Sequence, residues 1–395
     1  MRIFAVIAEF DPFHNGHLVP LAEGLKAGCT HSIAVMSGSW TQRGEPAMFS
    51  KYARAEAAVR CGYDLVLELP APYALSSSER FAAGAVSLIS SLGCVSALSF
   101  GSECGDPDLL LKTAQAMESQ MVKKRIDELC RLGDSYPAAR QKALEVFSPD
   151  LLPAIEYPND ILAVDYLRAI LKAGGAIEPI VAKRRGVRHN SDIPSRNFAS
   201  ASYIRNAVRG GILPNGFMPN ESMSVFMREM DFGRVSRGTE GLSSAIFSKL
   251  RLMDKSKFSE YPDCAGGLGD RIFSAAARAS SVSDLYALAK SKNFAMTRVK
   301  RAIAAIMIGI NAGINEKPVP YAHILAIGRN GDEVLSKISG SSSIPMSDST
   351  KRLAGENEDC RMFAEIETRA SELQAISMEE MPPKGSENDN RLYHV

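Results

Sequence analysis

Two histidines three residues apart, His14 and His17, sit within Glu9-Phe10-Asp11-Pro12-Phe13-His14-Asn15-Gly16-His17, behind one apolar run and ahead of a helix-forming one. At a helix start, that spacing lets both imidazoles face one side. The helix start also offers unpaired N–H groups and the positive end of the helix dipole, which suits phosphate. Two imidazoles beside a phosphate, neutral or protonated, can stabilise the charge that builds on it during displacement. Gly16 lets a nucleotide approach the backbone closely. The plainer alternative is a pair of surface or satisfied core histidines, and their place after a first strand favours the chemical reading.

Other residue groups could complete such a site. The long loop Met36–Ala47 carries Ser37, Ser39, Gln42, Arg43 and Glu45. Long loops at the carboxyl edge of a sheet commonly hold substrate, so Ser37, Ser39, Gln42 and Arg43 are candidate substrate residues. Trp40, the only tryptophan, could stack on a base or pack in the core, and both readings stay open. Phe100-Gly101-Ser102-Glu103 ends a strand, where Gly101 can sit against ribose or adenine; a plain strand-to-loop turn reads equally well. Asn159 heads a helix, either as its cap or as a nucleotide contact. Lys183-Arg184-Arg185, with Arg188 beyond, clusters charge just after a strand. At a ligand-binding edge this points to phosphate rather than to a solvated face. Further on, Arg298, Lys300 and Arg301 share a helix behind Thr297, a candidate N-cap. With Arg271, Arg278, Lys290 and Lys292 nearby in sequence, they could form a basic patch that positions RNA through its phosphates. A solvated helix face fits that spacing equally.

These residues need a scaffold, and the first two hundred positions read as one. Arg2–Ala8, Ser32–Met36, Leu65–Leu69, Ala97–Gly101 and Ala176–Ala182 are apolar runs of strand length. Gly16–Lys26, Lys51–Cys61, Ser78–Leu92 and Asn159–Ala173 carry helical spacing between them. That alternation predicts an α/β fold, a Rossmann-like parallel sheet with helices on both faces. Asp106-Pro107 opens a charged helical insertion over 106–150, since proline is tolerated in a first turn. After Gly211 the texture changes. Ser222–Gly238 reads as Met-rich loop, and Glu240–Asp254, Asp270–Ala279, Ser283–Lys292 and Thr297–Ile310 as short helices, with a strand at Tyr321–Ile327. Beyond Gly340 the chain is Ser-rich, then Glu-rich, and its last dozen residues read as frayed. The expected division is a nucleotide-binding domain over 1–211, a mainly helical domain over 212–340 and a polar extension over 341–395.

Composition sets the outer limits. The 395 residues are 45% hydrophobic and 23% charged, which excludes a disordered, collagenous or fibrous chain and favours more than one domain. Lys+Arg 46 against Asp+Glu 45 leaves +1, so any nucleic-acid footprint must be local. The seven cysteines are scattered and form no Cys-x-x-Cys, a poor pattern for disulfides or zinc and a fair one for reduced cytosolic thiols. The first apolar run is too short for a signal peptide, and no stretch of about 18 apolar residues occurs. A cytoplasmic protein with no membrane partner is expected.

Taken together the motifs are recognisable. His14-Asn15-Gly16-His17 resembles the signature of the nucleotidyltransferase superfamily, and Ser200-Ala201-Ser202-Tyr203-Ile204-Arg205 resembles its second signature. Met36–Ala47, Glu68-Leu69-Pro70, Ser76–Ala85, Ser99–Glu103, Pro158–Leu162 and Lys183-Arg184 look like blocks of the bacterial tRNA(Met) cytidine acetate ligase family. The resemblance implies a ligase that activates acetate with ATP to acetyl-adenylate. It would pass the acetyl group to N4 of the wobble cytidine of elongator methionine tRNA, with magnesium helping to neutralise the outer phosphates. His14 and His17 would be catalytic. ATP contacts are implied along Ile7, Ala8, Glu9, Phe10, Asp11, Pro12, Phe13, His14, Asn15, Gly16, His17, Leu18, Val19 and Pro20. Others are implied at Gly101, Asn159, Arg184, Ser200, Ser202 and Arg205. Ser200 or Ser202 would cap a helix while Arg205 reaches the β- and γ-phosphates; on its own the stretch is an ordinary capped helix with a solvated Arg. The resemblance also inclines Arg298, Lys300 and Arg301 toward tRNA. Asp11 stands where the family usually has Asn, which puts a carboxylate near the phosphates unless it turns away. The rival readings are a plain adenylyltransferase acting on a small phosphorylated metabolite, and a non-catalytic RNA-binding protein on a nucleotide-binding fold.

Overall fold

The structure, a computed structural model, describes residues 1–184, 197–386 and 392–395. Arg185, Arg188 and the rest of that basic stretch lie outside the described residues. Five strands form early: β1 Ile3–Ala8, β2 His31–Ser37, β3 Leu65–Leu69, β4 Val95–Ser102 and β5 Glu178–Lys183. They pair parallel in the order β5-β4-β1-β2-β3. The order reverses between β1 and β4, so the crevice at their carboxyl ends is where such a sheet takes a ligand.

Side-chain alternation builds a core on each face of the sheet. From β1, Ile3 and Ala5 enter one core and Phe4 and Val6 the other. The helices Ser78–Ser91 and Pro158–Lys172 cover the first face, and Leu18–Lys26, Lys51–Arg60 and Ala201–Arg209 the second. The insertion forms three helices, Pro107–Glu118, Gln120–Arg131 and Tyr136–Phe147. The Asp106 side chain caps the first by accepting from the N–H groups of Asp108 and Leu109.

The second half departs from expectation in three places. The stretch read as Met-rich loop contains a helix, Asn220–Asp231, whose buried Ser222, Val225, Phe226 and Glu229 keep helical spacing. Next, β6 (Ala322–Ile327) lies antiparallel beside β3, so the region read as a separate helical domain returns to complete the first sheet. Last, the presumed polar extension is structural. β7 (Met346–Ser347) and β8 (Tyr393–His394) pair with β6, and the helix Glu358–Ile376 buries Cys360, Phe363, Ile366 and Ala370. Domain boundaries at 211 and 340 therefore cut through one sheet. The helices Ser243–Leu252, Leu268–Arg278, Val282–Ala289 and Met296–Ile308 join the first core as well. Ala295, not Thr297, precedes the last of these, and no side chain caps it. Among the described residues no helix is long and apolar enough to cross a membrane.

Candidate active site

At the carboxyl end of β1 the chain turns through Phe10, with a positive φ of 47°, and the cis bond Asp11–Pro12 into a short 3-10 turn, Asn15–His17. His14 is the N-cap of that turn. Its Nδ1 accepts the Gly16 N–H at 3.0 Å, and His17 Nδ1 accepts the His14 N–H at 3.1 Å. The two rings lie 3.9 Å apart, centroid to centroid. Burial first, then the charges of Arg184 and Arg205, lower His14 to about 3. Burial and the neighbouring His14 and Arg184 hold His17 well below its ordinary value. Both imidazoles are therefore neutral, and with Nδ1 accepting, the proton of each sits on Nε2. Gly16 has a local reason too: a Cβ there would lie 2.7 Å from the His14 ring.

Phe10 and Phe13 pack against His17 and Tyr63, and Tyr63 donates to the His17 carbonyl at 3.2 Å. Asn15 donates to the carbonyls of Asn197 and Gly216, and Ser222 to that of Phe13. Residues after 211 thus hold the histidine motif in place.

A cavity of about 420 Å3 opens over this turn. From the first segment it is lined by Ile7, Ala8, Glu9, Phe10, Asp11, His14, Gly16, His17, Val19 and Pro20, whereas Pro12, Phe13, Asn15 and Leu18 stand behind the lining. Gly101, Asn159, Arg184, Ser200, Ser202 and Arg205 all reach the same space, as do Gln42 and Arg43. Ser200 caps Ala201–Arg209 by accepting the Tyr203 N–H, and Ser202 lies 3.0 Å from it, oxygen to oxygen. Asn159 does not cap its helix. Its amide donates to Glu103, while Glu103 accepts the Asp160 N–H and Asp160 accepts from Ser102, Glu103 and Cys104. That reciprocal clasp fixes the end of β4 against the helix start. Asp11 lines the cavity with its carboxylate already engaged: its Oδ1 accepts the Met48 N–H at 2.7 Å and its Oδ2 lies 3.5 Å from Arg205, which also donates to the Asp11 carbonyl.

The remaining candidates have other work. Ser37 and Ser39 are buried and do not line the cavity; Ser39 meets Ser371 on the C-terminal helix. Ser37 is the last residue of β2 and Ser39 follows it after Gly38, so both side chains lie in the interior rather than at the cavity. Trp40 is 1% exposed, and its indole donates to the Ala370 carbonyl, so it packs. Arg298, Lys300 and Arg301 do not form an open basic face. Arg298 donates to the carbonyls of Asp263 and Ala265, Arg301 pairs with Asp263 at 2.8 Å, and Lys300 with Glu45 at 2.5 Å. The acidic partners lie far away in sequence, which is why spacing alone suggested solvent.

Arg54 was not apparent from sequence. It is fully buried, and its guanidinium donates to the carbonyls of Glu9, Ser37, Gly38 and Phe49. It therefore ties the β1 and β2 loops together at the site. An Arg in a helix of alanines was the one available signal.

The HIGH Nucleotidyl Transferase family matches residues 1–389. The tRNA(Met) cytidine acetate ligase of Thermosipho melanesiensis is 35% identical, covering 88% of this chain and 84% of its own length. That of Caldicellulosiruptor saccharolyticus is 34% identical over 96% and 95%. The crystal structure of Thermotoga maritima TmcAL in its apo form matches with a TM-score of 0.93 at 28% identity, over the whole of both chains. Its form bound with alpha-thio ATP matches at 0.91 and 29%, again over the whole of both. With its histidine pair, its Ser200-capped helix Ala201–Arg209 and its cavity at the β1–β4 crevice, this chain belongs to the tRNA(Met) cytidine acetate ligase family, within the HIGH nucleotidyl transferases.

Proposed function

We propose that this chain activates acetate with ATP to acetyl-adenylate and transfers the acetyl group to N4 of the wobble cytidine of elongator methionine tRNA, in the cytoplasm. The observation that carries the reading is the convergence of His14, His17, Ser200, Arg184 and Arg205 on one cavity. Relatives that carry the ligase name, and a neighbour bound with an ATP analogue, support the choice of substrates. In the first step an acetate oxygen attacks the α-phosphate and pyrophosphate leaves. His14 and His17 offer Nε2–H donors to the charge that builds there, fixed in direction by their Nδ1 acceptors. The start of Ala201–Arg209, the side chain of Arg205 and Arg184, whose charge acts on both His14 and His17, serve the phosphates, and Asn159 contacts the nucleotide.

Among the described residues no three of His, Cys, Asp or Glu converge as a metal site. Those residues offer magnesium no cage of their own, and the ion's fit there is as a companion of ATP's phosphates. In the second step the cytosine leaves the base stack, which an anticodon loop permits at small cost, and its amine opens the mixed anhydride. Incubating the protein with ATP, labelled acetate and tRNA, followed by mass spectrometry of the nucleosides, tests the reading. Labelled N4-acetylcytidine is expected; a stable dinucleotide formed from a phosphorylated metabolite would support plain adenylyl transfer instead.

A further inference from the structure

Glu9 follows the last residue of β1 and lines the cavity. Its Oε1 accepts the Gln42 N–H at 2.7 Å, and the carboxyl takes no other hydrogen bond among the described residues. The other carboxylate in the lining, Asp11, is occupied by Met48 and Arg205. Among the described residues, Glu9 is thus the acidic group with an oxygen left for a substrate.

Acetyl transfer needs such a group. The amine nitrogen attacks the acetyl carbonyl, a C–N bond forms and the C–O bond to AMP breaks. The AMP phosphate oxygen keeps the electron pair, and the nitrogen sheds one proton. His14 and His17 are poorly placed to take it, because each Nδ1 accepts a backbone N–H and each Nε2 already carries its hydrogen. The serines, Gln42 and Asn159 of the lining are not bases, and its arginines stay protonated. We propose that Glu9 is the general base of the acyl-transfer step, taking the proton from the acceptor amine as acetyl-adenylate is opened. This rests on the acetyl-adenylate reading above.

The surroundings suit that role. Burial raises the Glu9 carboxyl, against the Gln42 hydrogen bond and the charge of Arg43 on the same loop; Asp11 raises it and Arg205, on Ala201–Arg209, lowers it. Arg54 approaches from Lys51–Arg60 and Tyr166 from Pro158–Lys172, each feeling the Glu9 charge, and His14 and His17 share the cavity. A raised carboxyl is a stronger base near neutral pH. Departure of pyrophosphate removes negative charge from the cavity that Glu9 lines, which favours its ionised form when the second step begins.

Glu9→Gln keeps an acceptor for the Gln42 N–H and cannot take a proton. Acetate-dependent ATP–pyrophosphate exchange and tRNA acetylation are measured on one preparation. The ratio of acetylation to exchange is expected to fall by about 100-fold or more, with Glu9→Asp in between. Hydroxylamine, a nucleophile that needs no base, should still trap acetyl-adenylate in proportion to exchange. A ratio within about threefold of the parent, or a trapping yield that falls as far as acetylation does, overturns the assignment. Should Glu9→Gln not fold, the unmodified protein decides. An acid limb in acetylation that is absent from exchange supports Glu9, and parallel pH profiles refute it. A parent with no acetate-dependent exchange would instead defeat the acetyl-adenylate reading, and is seen before any variant is made.

Discussion

His14 has two separable jobs, and one substitution tells them apart. Its Nδ1 accepts the Gly16 N–H at 3.0 Å as an N-cap, and its ring lines the cavity with Nε2–H left as a donor. His14→Ala removes both. His14→Asn removes the cavity donor while its amide oxygen can take over the cap, a position where Asn is among the best residues. Loss of one donor to developing charge is on the scale of 2.7–4 kcal/mol, roughly 100- to 1,000-fold in rate. Both variants should therefore lose about that much acetate-dependent ATP–pyrophosphate exchange. Only the Ala variant should also lose about 1 kcal/mol of stability in a urea titration. There is a pH signature as well. The folded pKa of about 3 lies below the ordinary 6.5, so this histidine's contribution is complete above about pH 6.5 and is lost as pH falls toward 3. The slope is about 1.4 kcal/mol per pH unit at its steepest, and both variants should lack it. Exchange within tenfold of the parent in His14→Asn would refute the donor role. Equal destabilisation by Asn and Ala would refute the cap.

Three further outcomes follow from buried charge. Arg54→Met should strip the donor from four buried carbonyls and cost about 3 kcal/mol or more in denaturant unfolding, with loss of exchange; a loss under about 1 kcal/mol would show that the loops hold without it. Arg298→Ala with Arg301→Ala should lower the Tm through the loss of the Asp263 contacts and leave the salt slope of tRNA binding unchanged, whereas a slope smaller by about one unit per contact would restore these residues to the RNA interface. Glu367 is fully enclosed, with burial and the nearby Glu68 charge holding it protonated well above the ordinary range, while Lys51 and the His323 hydrogen bond, against burial, pull Glu68 down to about 2. Glu367 thus contributes fully below about pH 4.5 and loses that contribution as pH rises toward its folded value, so Glu367→Gln should flatten the fall in stability as pH rises above about 4.5; an unchanged pH–Tm curve would show that it is not buried as a neutral acid.

The five parallel strands were legible because a sheet covered on both faces needs apolar runs, and runs such as Leu65–Leu69 have no other reading. The histidine motif was legible because its chemistry is local: cap, glycine and both imidazoles lie within four residues. What sequence hid was long-range pairing. Tyr321–Ile327 reads plainly as a strand, yet nothing local says that it lies against Glu68 and Leu67 of β3. Polar and charged residues fill more than half of Glu358–Ile376, so its buried stripe of Cys360, Phe363, Ala364, Glu367, Ala370 and Gln374 is masked by them and by two polar members of its own. A buried Glu or Arg looks like a solvated one until its partner is seen.

That hidden helix changes how the site itself is understood. The Gln42–Arg43 loop projects into the cavity as a turn closed by its own hydrogen bonds, from the Gly44 N–H to the Thr41 carbonyl and from the Thr41 N–H to the Glu45 carbonyl. It is gripped from two sides by residues beyond 290. Beneath it, Glu358–Ile376 accepts from the Trp40 indole at the Ala370 carbonyl, meets Ser39 through Ser371, and donates from Gln374 to the carbonyls of Ala47 and Phe49. Beside it, Lys300 pairs with Glu45, and Gly44, at φ +77°, sits so close that a Cβ would fall 2.5 Å from the Lys300 carbonyl carbon. Gln42 is also the residue whose N–H orients Glu9. A loop fixed only by its own ends would leave that carboxyl free to rotate, and proton transfer depends on reach of about 2.6–3.2 Å. The helices Met296–Ile308 and Glu358–Ile376 therefore brace the loop whose Gln42 N–H holds the Glu9 carboxyl, and the base proposed for acyl transfer rests on residues far from it in sequence.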